Sequence, residues 1–163
     1  MIREASLTDI PQIRKMAQVI FPITYSSILS PEQLEYMMEW MYSEINLRKQ
    51  MTERGDRYFI DDSSRGYVSF RHDHDSIYHL EKIYVLPEYQ KSGLGRNLFD
   101  RVIAEIRLIQ NGEPFTVELN VNRNNPSVGF YRHLGMRCDR SGDFPIGYGY
   151  YMNDYIMAID FEK

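Results

Sequence analysis

The stretch Leu80-Glu81-Lys82-Ile83-Tyr84-Val85-Leu86-Pro87-Glu88-Tyr89-Gln90-Lys91-Ser92-Gly93-Leu94-Gly95-Arg96 decides the fold. Its first half has the β-branched and aromatic content of a strand, and Pro87 stops that strand. Its second half carries two glycines and opens a run in which Leu94, Leu98, Phe99, Val102 and Ile106 recur at helical spacing, as far as Asn111-Gly112. A strand that passes through a glycine-bearing loop into a long helix brings free backbone N–H groups together at the helix start, where the dipole adds partial positive charge. Gly93 and Gly95 permit the close approach that a pyrophosphate needs, and Lys91 and Arg96 add cationic charge. The same spacing also serves as a tight strand-to-helix turn with no ligand. A Walker P-loop is excluded because no Gly-Lys-Ser/Thr ending is present. A dinucleotide fingerprint fails because Arg96-Asn97-Leu98 supplies no third glycine.

Upstream, residues 57–61, 65–71 and 77–86 are rich in Tyr, Phe, Ile and Val and are separated by Asp62-Ser63-Ser64 and Asp73-His74-Asp75, the pattern of an antiparallel meander. Residues 2–5 read as a short first strand. Thr8 or Asp9 caps a helix carrying Ile10, Ile13, Met16, Ala17 and Ile20, which Phe21-Pro22 ends or bends. Ser30-Pro31-Glu32-Gln33 opens a second helix with a capping box. Downstream, 115–121 is a strand, 126–134 a short helix ended by Gly135, and strands near 136–140 and 148–161 finish the chain. The order is β-α-α-β-β-β-α-β-α-β-β, an α/β sandwich with a mixed sheet flanked by helices. The strands joined by the helix at 93–110 are expected to be parallel with a right-handed crossover.

The 163 residues form one domain, 1–163, with 43% hydrophobic and 26% charged residues, a mixture that excludes disorder. A net charge of −4 weighs against nucleic-acid binding and admits a cationic substrate. One cysteine, Cys138, excludes an internal disulfide and a multi-cysteine zinc site and is read as a packed thiol. No apolar run approaches the ~20 residues of a membrane helix and no signal peptide is visible, so the expected compartment is the cytoplasm, with no membrane partner. His72-Asp73-His74-Asp75 has the residue types of a metal box but reads as a solvated turn, and no metal is expected. The run from Tyr36 to Tyr42 reads as core packing. The 13 tyrosines stand out, and composition does not say which of them is chemical.

The pattern Gln90-x-x-Gly93-x-Gly95, after a strand ending Ile83-Tyr84-Val85-Leu86-Pro87, resembles the signature of the GNAT superfamily, the Gcn5-related N-acetyltransferases. A second segment, Asn124-Asn125-Pro126-Ser127-Val128-Gly129-Phe130-Tyr131-Arg132-His133-Leu134-Gly135-Met136, resembles that family's Asn-x6-Tyr-x3-Gly-Phe, with Met136 in place of the aromatic. The resemblance implies acetyl-CoA as cosubstrate, held by Ile83, Tyr84 and Val85, by the loop of Gln90, Lys91, Ser92, Gly93, Leu94, Gly95 and Arg96, and by Asn124, with Asn120 a lesser candidate. It implies Tyr131 as the acid that protonates the leaving thiolate. It implies Glu81 as the base that frees the amine's lone pair, with His79 competing for that role. It also implies a backbone N–H near Tyr84 or Val85 for the oxyanion.

Tyr25, Glu32, Glu35 and Tyr36, with Glu39 and Trp40, would border the acceptor, an acidic and aromatic rim suited to a cationic amine; a solvated helix face is the other reading. Tyr25-x-x-Ile28-Leu29-Ser30-Pro31 loosely resembles bacterial polyamine acetyltransferases. The expected acceptor is a small-molecule amine, and homodimers are common in the family. A protein or peptide N-acetyltransferase and a noncatalytic acyl-CoA sensor are the alternatives.

Overall fold

The computed structural model describes residues 1–162. Strand β1 (Ile2–Glu4) leads through a 3-10 turn into helices α1 (Ile10–Tyr25), α2 (Pro31–Tyr42) and α3 (Glu44–Lys49), and a π-helical turn follows at Gln50–Arg54. Strands β2 (Arg57–Asp61), β3 (Gly66–His74) and β4 (Ile77–Val85) precede helix α4 (Leu94–Gln110). Strand β5 (Phe115–Asn122), helix α5 (Ser127–His133) and strands β6 (Arg137–Gly147) and β7 (Tyr150–Phe161) complete the order. All seven strands form one sheet, β1-β2-β3-β4-β5-β7-β6. The β4–β5 pair, joined through α4, is parallel and the other pairs are antiparallel. This is the mixed sheet that the pattern predicts, with α3 added.

The differences have local causes. Helix α1 starts after Asp9, one of the two caps expected, but the Asp9 carboxylate serves the 3-10 turn before it, accepting from the Ser6 N–H at 2.8 Å. Helix α1 does not end at Pro22 but runs on to Tyr25. The carbonyl that Pro22 cannot bond belongs to Gln18, which is exposed, so water can satisfy it. Helix α3 starts at Ser43, whose hydroxyl accepts from Asn46 N–H at 3.1 Å. Strand β3 continues through His72-Asp73-His74, so only Asp75-Ser76 remains as turn. His72 Nε2 lies 2.6 Å from the Asp75 carbonyl. Cys138 is exposed on β6 beside Arg132 rather than packed.

Each face of the sheet carries its own core. Leu98, Val102 and Ile106 of α4 pack with Tyr131 and Leu134 against Val68, Leu80, Ile83, Val117 and Leu119. On the other face Ile13, Ile20 and Phe21 of α1, with Met37, Tyr42 and Leu47, pack against Tyr58, Ile60 and Tyr67. Each fully buried aliphatic or aromatic side chain here stabilises the fold by about 1.5–3 kcal/mol.

Candidate active site

Strands β4 and β5 pair only at Ile77–Thr116, Tyr78–Val117 and His79–Glu118. Beyond that they part. A bulge in β4 lies at the parting: Phe70 faces Leu80 and Ser69 faces Lys82, so Glu81 is the extra residue. The bulge also resets the alternation. Tyr78 and Leu80, then Ile83 and Val85, face α4, whereas His79, Glu81, Lys82 and Tyr84 lie toward α1–α3. The Leu86 N–H bonds the Arg65 carbonyl at 2.8 Å, and the ladder register pairs Tyr84 with Tyr67. Antiparallel alternation therefore turns the Ile83 and Val85 N–H groups away from β3, into the gap that β5 leaves, and the Tyr84 N–H toward β3. Of the two amides expected near the oxyanion, that of Val85 thus points into the gap and that of Tyr84 does not. A narrow cleft in the gap is bordered by Tyr25, Ile83, Asn120, Asn125 and Tyr131.

At the end of β4 the loop turns into α4 through two positive-φ residues, Lys91 (φ 64°) and Gly93 (φ 90°). No side chain caps α4, and Leu94 N–H meets the Ser92 hydroxyl only at 3.4 Å. The first-turn amides of Gly95 and Arg96 have no intrahelical partner. A Cβ on Gly93 would touch nothing within 4 Å, so it is the positive φ and not crowding that calls for glycine there. Gly95 answers a different need, since a Cβ there would lie 3.0 Å from the Phe130 ring of α5. Gln90 Nε2 donates to the Val85 carbonyl at 3.2 Å and folds the loop onto the strand end. With Lys91 and Arg96 exposed alongside, these groups fit the pyrophosphate of coenzyme A.

On the α1–α3 face a cavity of about 600 Å³ reaches the gap. Tyr25, Trp40, Tyr84, Phe144 and Tyr151 give it aromatic walls. Its arginines are occupied: Arg54 pairs with buried Asp56 at 2.5 Å, and Arg71 with Glu81 at 2.6 Å and Asp73 at 3.2 Å. Lys82 is buried and donates to the Met41 carbonyl (3.2 Å), Gln50 Oε1 (2.9 Å) and the Tyr58 hydroxyl (2.6 Å), which accounts for its three protons. The Tyr42 ring lies 4.3 Å from the same ammonium. Burial pushes this lysine down to about 7.

The expected residues separate into two groups. Tyr131 is buried in the gap, its phenol raised by burial, with no hydrogen-bond partner among the described residues. Tyr25 joins it there, bonded to the Tyr84 hydroxyl at 3.1 Å and to Asn125 Nδ2 at 3.3 Å. Glu81 and His79 both line the cavity. Glu81 is clamped by Arg71, with Arg54 3.7 Å away, whereas His79 carries no hydrogen bond among the described residues and its imidazole is lowered, chiefly by burial.

Asn124 is exposed. The asparagine turned into the gap is its neighbour Asn125, 5% exposed, whose Oδ1 also accepts from Ser127 N–H at 2.8 Å. Glu32 and Glu35 do not reach the cavity, because α2 presents Gln33, Met37, Trp40 and Met41 to it. Glu32 is exposed, and Glu35 lies with Glu39 in a separate groove beside Arg14. Tyr36 braces the wall instead, donating to the Ile146 carbonyl at 2.5 Å and packing 5.3 Å from Tyr148 and Tyr150. Gly147 (φ 100°) fits under its hydroxyl, which would lie 2.7 Å from a Cβ. The pattern reading missed Asn125, Lys82 and Asp154. The doubled asparagine was the available signal for the first, and nothing local marks the other two.

A splayed β4–β5 pair, an anion-receptive turn and an acceptor cavity meeting at the gap define an acyl-CoA-dependent transferase. The sequence model of the Acetyltransferase (GNAT) family matches residues 12–136, and the chain belongs to that family, whose cosubstrate is acetyl-CoA and whose members are acetyltransferases. It is similar to an uncharacterized N-acetyltransferase of Mycobacterium tuberculosis, 24% identical over 156 residues, covering 93% of this chain and 97% of that protein. An N-alpha-acetyltransferase of Sulfurisphaera tokodaii is 26% identical over 141 residues, covering 83% and 79%. In fold it resembles the PaiA N-acetyltransferase of Thermoplasma acidophilum, solved in complex with coenzyme A, with a TM-score of 0.74, 21% identity, and coverage of 99% and 98%. Among the described residues no helix is long and apolar enough to cross a membrane, and no group of three His, Cys, Asp or Glu is placed to hold a metal ion.

Proposed function

We propose that the chain transfers the acetyl group of acetyl-CoA to the primary amine of a small cationic acceptor, with polyamines the class that its cavity best suits. The observation that carries this reading is the aromatic cavity that meets the β4–β5 gap while its arginines are neutralised by Asp56, Glu81 and Asp73. Aromatic faces whose arginines are paired favour an ammonium over an anion, and the exposed Lys49 and Glu53 that also line the cavity add one charge of each sign. Two hydrogen bonds tie the β6–β7 hairpin to α2, from Tyr36 to Ile146 and from Gln33 Nε2 to the Tyr151 carbonyl at 3.2 Å. They fix the hairpin against α2 as one wall of the cavity, which favours a small acceptor over a protein terminus.

Bound acetyl-CoA supplies the activated acyl group. The α4 amides with Lys91 and Arg96 would hold its pyrophosphate, and the Ile83 and Val85 N–H groups would donate to the arm lying in the gap. Tyr131, kept protonated by burial, would return a proton to the thiolate. Of the two bases on β4, His79 is favoured: burial keeps the imidazole neutral near pH 7, and no neighbour uses its lone pair, whereas Glu81 is spent on Arg71. Glu81 then holds Arg71 away from the acceptor. The exposed thiol of Cys138 fits a reducing compartment such as the cytoplasm.

The test is thiol release from acetyl-CoA with spermidine, spermine, amino acids, aminoglycosides and a short peptide. Spermidine or spermine should give the highest kcat/KM. Preferred turnover of the peptide would overturn the small-amine reading and support the N-terminal acetylation named for the Sulfurisphaera relative.

A further inference from the structure

One buried charge in the cavity wall has no cation paired with it among the described residues. Asp154 on β7 is 1% exposed and lines the cavity. Its Oδ2 accepts from Asn120 Nδ2 at 3.3 Å, and its Oδ1 accepts from no group among the described residues. The nearby cation, Arg123, is committed to Asp143 of β6. The Tyr25 hydroxyl is engaged by Tyr84 and Asn125. Lys82 has spent all three protons elsewhere. A buried carboxylate with free lone pairs is costly, and folds rarely retain one unless it meets a partner.

Asn120 stands where that partner would enter. It borders both the cavity and the narrow cleft of the gap, close to Tyr25 and Tyr131. Its Nδ2 donates to Asp154, which sets the orientation of the amide and leaves Oδ1 as an acceptor with no donor among the described residues. Two unpaired acceptor oxygens, one backed by a full negative charge, make a seat for a group that only donates.

We propose that Asn120 and Asp154 form the seat of the acceptor's ammonium, Asn120 by contact and Asp154 by its uncompensated charge, and that this pair selects cationic acceptors. The inference rests on the acetyltransferase reading of the same cavity and names the residues that recognise its substrate.

The test is calorimetric binding of spermidine to the full chain saturated with coenzyme A, for wild type, Asp154→Asn and Asn120→Ala, with acetyl-CoA affinity and melting temperature measured alongside. Asp154→Asn keeps the shape and removes the charge. It should weaken spermidine binding by about tenfold or more, with acetyl-CoA affinity unchanged and a melting temperature equal or higher. Asn120→Ala should weaken it in the same direction. Unchanged spermidine binding in Asp154→Asn, with a lowered melting temperature, would make Asp154 a structural residue and overturn the seat, as would a wild type that binds no spermidine. If spermidine binds in an Asp154-dependent way but no amine releases thiol from acetyl-CoA, the seat stands and the transfer reading fails.

Discussion

The two faces of the sheet are built on opposite principles. The face under α4 and α5 is an apolar core, and what it would offer the cofactor under the proposed function is backbone: the first-turn amides of α4 and the Ile83 and Val85 N–H groups. The face under α1–α3 packs tyrosines around charge. Tyr42 and Tyr67 share a 2.6 Å hydrogen bond, Lys82 sits among Tyr42 and Tyr58, and Asp154 is buried without an ion pair among the described residues. A ligand bound by backbone needs rigid support and a glycine at the right φ. A ligand chosen by side chains needs polar groups that the fold holds at a cost. The comparison therefore predicts that the α4 face sets stability and the α1–α3 face sets specificity.

The largest effect should come from the apolar face. Leu98 of α4 is fully buried between β3 and β4, so Leu98→Ala should cost about 3–4 kcal/mol in denaturant unfolding. A loss under 1 kcal/mol would break the contrast, since that face would then not carry the fold. Next is Tyr131, which stands on the apolar side but reaches the gap. Tyr131→Phe should lower turnover by about 100-fold with acetyl-CoA affinity nearly unchanged. Unchanged turnover in a stopped-time assay would remove it as the acid. Its 8% exposure and unbonded hydroxyl make loss of a structural hydrogen bond an insufficient explanation for a fall.

The same contrast explains what pattern reading reaches. The turn at Gln90–Gly95, the helix behind it and the strand order were legible because glycine, proline and apolar spacing act locally. The facing of the α2 carboxylates was not. Glu32 and Glu35 share a helix with Gln33 and Met37, and only packing decides which stripe faces the cavity. Strict alternation along β4 sets Lys82 opposite to Glu81, but the bulge at Glu81 brings both to one face, and a bulge leaves no residue signature here. Asn124 fits the spacing of the family motif, yet Asn125 is the one buried, a one-residue shift that local turn geometry decides. Helix α3 was legible in principle, since Ser43 is followed three residues later by the Asn46 amide it caps. Asp154 and Asn120 meet across two strands from distant parts of the chain, beyond the reach of spacing.

Asp154 gives the contrast a pH signature. Burial raises its carboxyl to about 6 from an ordinary value of 3.8. Below about pH 4 both folded and unfolded chains hold the proton and the group is neutral for stability. Between about pH 4 and 6 the unfolded chain releases it first, so stability falls as pH rises, and above 6 the full cost persists. Asp154→Asn should therefore be more stable than wild type by about 2 kcal/mol at pH 7, and equal to it near pH 4, in urea unfolding at the two pH values. A variant less stable at pH 7 would show that the carboxylate stabilises the fold, and the specificity face would lose its clearest mark.

Lys82 is the control for that argument, because it is buried on the same face yet fully hydrogen-bonded. With the folded ammonium pushed down to about 7, the unfolded chain holds the extra proton between 7 and about 10, so wild-type stability should rise with pH across that window. Lys82→Met removes the charge together with three hydrogen bonds and the contact with Tyr42. The gains and losses nearly cancel, and the net change at pH 7 should be within about 1 kcal/mol. The distinguishing readout is the slope: between pH 7 and 10 the wild type should gain stability and the Met variant should stay flat. A flat wild type would mean that the tyrosine cage and its three acceptors repay the burial completely. Lys82 would then be a post that braces α2 and the π-helical turn against β2, and Asp154 would be left, among the described residues, as the buried charge in the cavity wall that waits for a ligand.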